Sequence, residues 1–363
     1  MVMRKKKRKL FGASFLQPKT RVLHVNPTVH PARTEPEKTH ITVYQYDPLS
    51  LNIHRSVSAQ DCEKYRVDNA NLWINIDGLR QDDISSISQI FSIHPLLTED
   101  IMSLGQRPKM DEMEGVFYVL MYMMYFNAET RMLETEQLSI VLGKNFVITF
   151  QEESQKDLLK IVNDKLGNAA GKIRQNGSDY LFYSIIDLIV DNYFVIMERL
   201  GESIEDLEED IVQQANTVTL ANINSLRKEM IFLKRNISPV RELVGNIMRS
   251  DSELIEEKTE KYFKDVYDHI VQASELSENY RDMMLNLHDL YLSELNLKMN
   301  EVMKVMAIVT CLLAPATVIG GIFGMNFSKM PWLDNQFGFW MAVGVMFVIP
   351  VVMIWVFKRR GWF

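Results

Sequence analysis

The sequence predicts an α+β cytoplasmic domain that gives way to long helices and ends in a two-helix transmembrane hairpin. Three observations predict it. Strand-like apolar runs are confined to roughly the first 150 residues, and the pattern beyond them is almost wholly helical. Two segments near the C-terminus, Val305–Met325 and Phe337–Phe357, each run for 21 residues without a charge. At 1.5 Å per residue such a run covers roughly 30 Å, the thickness of a bilayer's hydrocarbon core. One run could be a buried core helix. Two in succession, about a dozen residues apart, indicate a membrane hairpin.

The chain begins with a basic run, RKKKRK at 4–9, and Pro18, Pro27, Pro31 and Pro36 follow. Residues 1–40 read as a disordered basic tail lying near an anionic membrane surface. The apolar stretch Leu10–Leu16 is too short and interrupted for a secretory leader, and no small-residue cleavage site follows it. Residues 41–250 form the α/β domain. ITVYQY (41–46) and LWINI (72–76) read as strands, and VFYVLMYMMYF (116–126) as a buried strand. Met121, Met123 and Met124 in it suit core packing better than a soft-metal site. QLSIVL (137–142) and FVITF (146–150) flank Gly143-Lys144-Asn145, a hairpin signal. Helices are expected over Asp82–Phe91, with Asp82 as N-cap, and over His94–Met102.

Ser178 or Asp179 can cap a helix running through LFYSIIDLIVDNYFVIMERL into the acidic stretch Glu202–Asp210. Another helix covers about 219–250, with Pro239 expected to bend or break it. Between Ser252 and Pro315 there is neither proline nor glycine. One helix is therefore expected from about 253 to 323, roughly 105 Å long. Residues 251–327 hold this helix with the first span, 328–336 a loop, and 337–363 the second span with a basic tail. Lys298, Lys304, Lys358, Arg359 and Arg360 flank the spans, whereas the loop holds only Lys329. By the positive-inside rule both termini are cytoplasmic, the loop faces outward, and the protein resides in the plasma membrane as a multi-pass chain.

The 40 basic and 47 acidic residues give a formal charge of −7, which argues against nucleic acid as a partner. Two cysteines exclude a disulfide scaffold, a Cys-rich zinc site and an iron–sulfur cluster. There is no P-loop, no H-E-x-x-H and no G-x-S-x-G, and the seven histidines are scattered, so no enzyme is indicated.

Steps of 3.5 residues along the first span pass Asn300, Met303, Ala307, Thr310, Ala314, Thr317, Gly321 and Gly324, a stripe of polar or small residues for most of its length. It fits two roles: a close-packing seam, or the lining of a watery path. A single stripe cannot enclose a pore, so the second role needs several copies about one axis. Acidic pairs recur in the soluble region: Glu99 with Asp100, Asp187 with Asp191, and Asp265 with Asp268. Such pairs fit a solvated face or ion pairs first, with oxygen ligation of a hard divalent cation as the alternative.

At Phe323–Phe327 the sequence reads FGMNF, directly after the first span and before a short loop and a second span. It resembles the CorA family of magnesium and cobalt channels, for which Gly-Met-Asn in this position is the signature. IHPLLTEDI (93–101), QRPKM (106–110), YFKDVYDH (262–269) and NEVMKVM (300–306) also resemble that family, and the likeness covers residues 40–363. The resemblance implies a funnel-shaped homopentamer whose pore is built from five first spans. It implies that Gly324, Met325 and Asn326 form the outer selectivity ring, with Asn326 receiving the hydrated ion. Asn300, Met303, Met306, Thr310 and Thr317 would line the conduit, Met303 and Met306 would constrict it, and Asp289 would sit near the inner mouth. Glu99, Asp100, Asp187, Asp265 and Asp268 would bind regulatory Mg²⁺ between subunits. Mg²⁺ would be both transported and regulatory, with Co²⁺ and Ni²⁺ as further permeants. The chain departs from the family pattern in two places. Ser328 and Lys329 follow the motif where acids are common, leaving Asp334 as the loop's acid, and Ala314 stands where a bulkier residue is common. Two other functions compete: a zinc transporter of the same superfamily, and a membrane-anchored sensor that transports nothing.

Overall fold

The computed structural model describes residues 35–66, 70–127, 132–152, 158–325 and 337–362. Seven strands form one sheet: β1 (His40–Tyr46), β2 (Leu51–Arg55), β3 (Asn71–Asp77), β4 (Lys109–Met113), β5 (Val116–Asn127), β6 (Met132–Gly143) and β7 (Phe146–Gln151), in the order β2-β1-β3-β7-β6-β5-β4. All neighbours are antiparallel except β3 and β7, which pair in parallel from Leu72–Phe146 to Asp77–Gln151. LWINI and FVITF are apolar almost throughout because these strands are central and buried on both faces. A buried relay crosses the pair. The Trp73 Nε1–H donates to Thr149 Oγ1 at 3.0 Å, and the Thr149 hydroxyl donates to Asn75 Oδ1 at 2.7 Å.

α1 (Gln81–Ile90) and α2 (Pro95–Met102) connect β3 to β4. The expected cap on α1 is displaced. Arg80 holds the N-cap position with no side-chain bond, and Asp82 lies in the first turn beside Asp83. Both acids still meet the positive end of the helix dipole there. α2 is capped by His94, whose Nδ1 accepts from the Leu96 N–H at 3.2 Å, with Pro95 at the first position. β2 and β4 are strands that the sequence pattern did not signal; both lie at the sheet's edges and bury little.

The hairpin falls where Gly143-Lys144-Asn145 places it, and Gly143 is the last residue of β6, opposite Phe146. A Cβ on Gly143 would stand 2.3 Å from the Phe146 ring. That ring is buried and packs on Phe91 at 4.9 Å between centroids, so it has nowhere to move. Gly143→Ala is expected to destabilise the domain by about 2 kcal/mol, the usual cost of overpacking. Thermal unfolding checks this: an unchanged midpoint would mean that the hairpin gives way freely.

After β7 come α3 (Leu159–Gly167), the short α4 (Lys172–Gln175), α5 (Ser178–Gln214), α6 (Thr217–Arg249), α7 (Glu257–Phe323) and α8 (Gly338–Arg359). The expected long helix is present as α7, with 67 residues. α6 continues through Pro239 rather than stopping there. α5 is anchored to the sheet at mid-length. The Asn192 amide donates to the Met124 carbonyl at 2.6 Å, and the buried Tyr193 hydroxyl to the Tyr122 carbonyl at 3.1 Å. From α6, the buried Glu229 accepts from the Leu133 N–H at 3.2 Å.

The chain divides into two compact units. One holds the described residues up to Ile204 with Ser225–Asp282; the other holds Glu205–Asn224 with Met283–Phe363. Among the described residues three helices are long and apolar enough to cross a membrane, and burial separates them. The most apolar window of α5 is 61% buried within the protein, whereas those of α7 and α8 are 6% and 0% buried. An apolar helix that the protein does not cover needs another apolar solvent, and the bilayer supplies it.

Candidate metal cluster and ion path

α5 turns Ile185, Ile186, Ile189, Val190 and Tyr193 into the core. This leaves Asp187 and Asp191, one turn apart, together on its flank. α7 likewise buries Phe263, Val266 and Ile270. Ring contacts set the register between the two helices: Phe182 to Phe263 at 6.0 Å, Tyr183 to Tyr262 at 5.2 Å and Phe194 to His269 at 6.2 Å. Both helices therefore run in the same direction, and His269 arrives level with Asp191.

Asp187, Asp191 and His269 bring ligand atoms within 4.8 Å of one another. His269 Nδ1 lies 3.8 Å from Asp191 Oδ1, is shielded from solvent and makes no hydrogen bond. Two oxygens on opposite sides of a Mg²⁺ stand about 4.2 Å apart, given bonds of 2.0–2.1 Å. A small side-chain rotation would close this group on the ion, and a hydrated ion fits with less. Two carboxylates suit Mg²⁺, and the imidazole adds a ligand that Co²⁺ and Ni²⁺ favour.

Burial pushes the Asp187 carboxyl above the usual aspartate range, and the neighbouring Asp191 charge adds to the rise. The Tyr183 hydroxyl donates to Asp187 and opposes it; burial and the same carboxylate hold that hydroxyl protonated. Between the ordinary aspartate value near 3.9 and the raised one, the folded chain keeps a proton that the unfolded chain has released. Ion-free protein should therefore lose stability on account of this group as pH rises from the ordinary aspartate value toward the raised one. Asp187→Asn should flatten that part of the profile in thermal melts, and an unaltered profile would remove Asp187 as its source. A divalent ion displaces the proton, so its affinity should rise over the same interval.

The other sequence-predicted carboxylates lie outside this group. Glu99 is exposed on α2. Asp100 is engaged: Lys109 forms an ion pair with one oxygen and the Gln106 amide donates to the other at 2.7 Å. The QRPKM stretch thus supplies both partners of the TED stretch. Asp265 and Asp268 are exposed on α7. The spacing of Asp187 and Asp191 was visible in the sequence. His269 carried no signal of its own, because its contribution depends on the register of α7 against α5.

In the second unit, Asp289 is exposed, and Asn300, Met303, Met306, Thr310 and Thr317 are exposed along α7. The Thr310 hydroxyl donates to the Met306 carbonyl at 2.8 Å and the Thr317 hydroxyl to the Leu313 carbonyl at 3.1 Å. Each threonine oxygen keeps its lone pairs as acceptors. α7 ends at Phe323; Gly324 and Met325 follow, with the Met325 N–H donating to the Ile322 carbonyl at 3.2 Å. Asn326 and the loop lie outside the described residues.

The covered side of α7 in this region runs through Ile308, Leu312, Pro315, Ala316 and Ile319. At 3.6 residues per turn these share one face, and Ala307, Thr310, Ala314, Thr317, Gly321 and Gly324 lie about half a turn away. A Cβ on Gly320 would meet Met346 of α8 at 3.5 Å, whereas nothing lies within 4 Å of one on Gly321. The polar and small stripe therefore lies on the side that the chain leaves uncovered, together with the exposed apolar residues Val309, Leu313 and Val318 that flank it.

A sheet domain carrying a candidate carboxylate–imidazole cation site, followed by two long apolar helices that the protein does not bury, points to a membrane protein. Residues 68–359 match the family described as CorA-like Mg2+ transporter protein, and the chain belongs to that family. It is 36% identical over 327 residues to the cobalt/magnesium transport protein CorA of Thermotoga maritima, an alignment covering 90% of this chain and 93% of that protein. The fold matches the complete structure of the CorA magnesium transporter from Methanocaldococcus jannaschii with a TM-score of 0.73, at 23% identity and over 89% of this chain and 98% of that one. It also matches the ZntB cytoplasmic domain from Vibrio parahaemolyticus with a TM-score of 0.55, at 14% identity and over 70% of this chain and 98% of that one.

Proposed function

We propose that five copies of this chain form a funnel-shaped homopentamer that conducts Mg²⁺ into the cell across the plasma membrane, with Co²⁺ and Ni²⁺ as further permeants. The observation that carries it is the uncovered stripe on α7, opposite the face that the chain covers itself. Thr and Asn facing lipid would be costly. Copies set around an axis turn the stripe toward one another and toward water.

The chemistry follows from the ion. Mg²⁺ dehydrates reluctantly, and its bound waters point their hydrogens outward. A path for the hydrated ion therefore needs acceptors. The oxygens of Thr310 and Thr317 and the amide oxygens of Asn300 and Asn326 supply them without a net charge. Neutral acceptors hold the ion weakly enough to let it leave. Met303 and Met306 narrow the path to an apolar constriction, and Asp289 draws cations at its inner mouth.

Regulation resides in the soluble domain. Mg²⁺ at Asp187, Asp191 and His269, reached also by Glu99, Asp265 and Asp268 across the subunit interface, neutralises carboxylates that repel one another when empty. The bound ion favours the closed state by binding it better. Asp100, committed to Lys109 and Gln106, holds α2 in place for Glu99.

Purified protein in liposomes loaded with a Mg²⁺-sensitive dye tests this reading. Mg²⁺ influx should follow an inside-negative potential and stop as internal Mg²⁺ rises. Influx of Zn²⁺ with none of Mg²⁺ would favour the zinc reading, and no influx of either ion would favour the anchored sensor.

A further inference from the structure

α8 carries exposed aromatic residues near both ends, Phe339 and Trp340 at the start and Trp355 toward the finish, with Trp362 just beyond. Trp340 and Trp355 are separated by roughly 22 Å along the helix axis. Aromatic residues at such spacing mark the two membrane–water interfaces. The C-terminal end is folded back on itself. Gly361 adopts φ 72°, in the left-handed region. Its N–H donates to the Lys358 carbonyl at 3.2 Å, and the Trp362 N–H donates to the Phe357 carbonyl at 3.0 Å. This pair of bonds is a Schellman cap, and the apolar contact that completes such a cap is present. Trp362 stacks on Phe357 with centroids 5.2 Å apart and planes 8° from parallel. One turn away, the Arg359 guanidinium lies over the Trp355 ring at 5.1 Å.

The basic run Lys358-Arg359-Arg360 is thus fixed between two interfacial tryptophans. All three side chains are exposed, and no acidic residue follows Asp334 in the sequence. Among the described residues no carboxylate forms an ion pair with any of them. Three cations in one turn need a counter-charge from elsewhere. A spanning helix puts them level with lipid headgroups.

We propose that this end of α8 is a docking surface for the headgroup of an anionic phospholipid. The Lys358 ammonium and the Arg360 guanidinium donate to phosphate oxygens, Arg359 adds charge from its seat on Trp355, and Trp355 and Trp362 pack against the glycerol region. A free anion would satisfy the cations and leave the folded-back indole without a role. A lipid engages both.

The test uses the full chain in neutral detergent, titrated with phosphatidylglycerol, phosphatidylcholine or inorganic phosphate, and reads melting midpoint and lipid retained in native mass spectrometry. Phosphatidylglycerol should raise the midpoint and stay bound; the other two should do neither. Lys358→Gln with Arg360→Gln should weaken phosphatidylglycerol binding roughly thirtyfold, given the usual attraction of two surface cations. Gly361→Ala keeps every charge but strains the fold-back, and should weaken binding several-fold. Equal responses to phosphatidylglycerol and phosphatidylcholine would overturn the proposal. So would an undiminished response in the double variant. A response to inorganic phosphate as large as that to phosphatidylglycerol would overturn the lipid as occupant and leave an anion site. None of these readouts depends on ion transport.

Discussion

Asn326→Ala should reduce Mg²⁺ influx into liposomes by more than about tenfold. An acceptor lost to a charged partner costs about 1.5–3 kcal/mol, and each 1.4 kcal/mol is a factor of ten. The loss is repeated in every copy around the proposed ring. It falls on the step at which the ion leaves bulk water, and an alanine methyl offers nothing to the outward-pointing hydrogens of the hydration shell. Asn326→Asp separates two explanations. If acceptor geometry alone mattered, the aspartate would conduct like wild type. If weak binding matters as well, a ring of charges should capture Mg²⁺ and release it slowly, so that flux falls and half-saturation shifts to lower Mg²⁺. Size-exclusion profiles of both variants should match wild type if the loss is one of ion entry and not of assembly. Wild-type influx in Asn326→Ala would remove Asn326 from the outer ring.

The architecture was legible wherever one periodicity ran long. LWINI and FVITF declared themselves as β3 and β7 because a central strand is apolar on both faces, and the span from Ser252 to Pro315 declared α7 because nothing in it breaks a helix. β2 and β4 went unread because edge strands bury too little to write a pattern. Asp82 was misplaced by two positions because an acid in the first turn and an acid at the cap look alike without backbone geometry. The stripe on α7 was read from spacing alone, which left a seam and a watery lining equally open. What the spacing could not give was which face α8 leaves bare. The carboxylate–imidazole group was half-read. Asp187 and Asp191 sit on one helix, whereas His269 joins them only through the stacking of α5 on α7. The partners of Asp100, Lys109 and Gln106, were not legible either, because both contacts depend on how β4 returns past α2.

The second large effect concerns closure. Asp265→Lys should leave a channel that keeps conducting at internal Mg²⁺ concentrations that shut the wild type, because it places a fixed cation where the proposal needs anions to be neutralised by a removable one. Coupling between a ligand site and a global state typically amounts to 1–3 kcal/mol, so the half-closing concentration should move by about 5- to 150-fold. The direction carries a second test. A lysine that merely mimicked bound Mg²⁺ by charge would lock the channel shut, whereas an ion that closes it by bridging subunits through oxygen ligands cannot be replaced by an ammonium that bridges nothing. Asp187→Asn should move the half-closing concentration the same way and less far, since it removes one proposed ligand of several and also relieves a carboxylate that burial already disfavours. Asp100→Asn should behave differently from both. Its oxygens serve Lys109 and Gln106, so its loss should lower the thermal midpoint and leave the half-closing concentration near that of wild type. If Asp100→Asn shifted closure as far as Asp265→Lys did, Asp100 would have to leave Lys109 in the closed state, and the ion would then be held by the α2 carboxylates rather than by the group on α5 and α7.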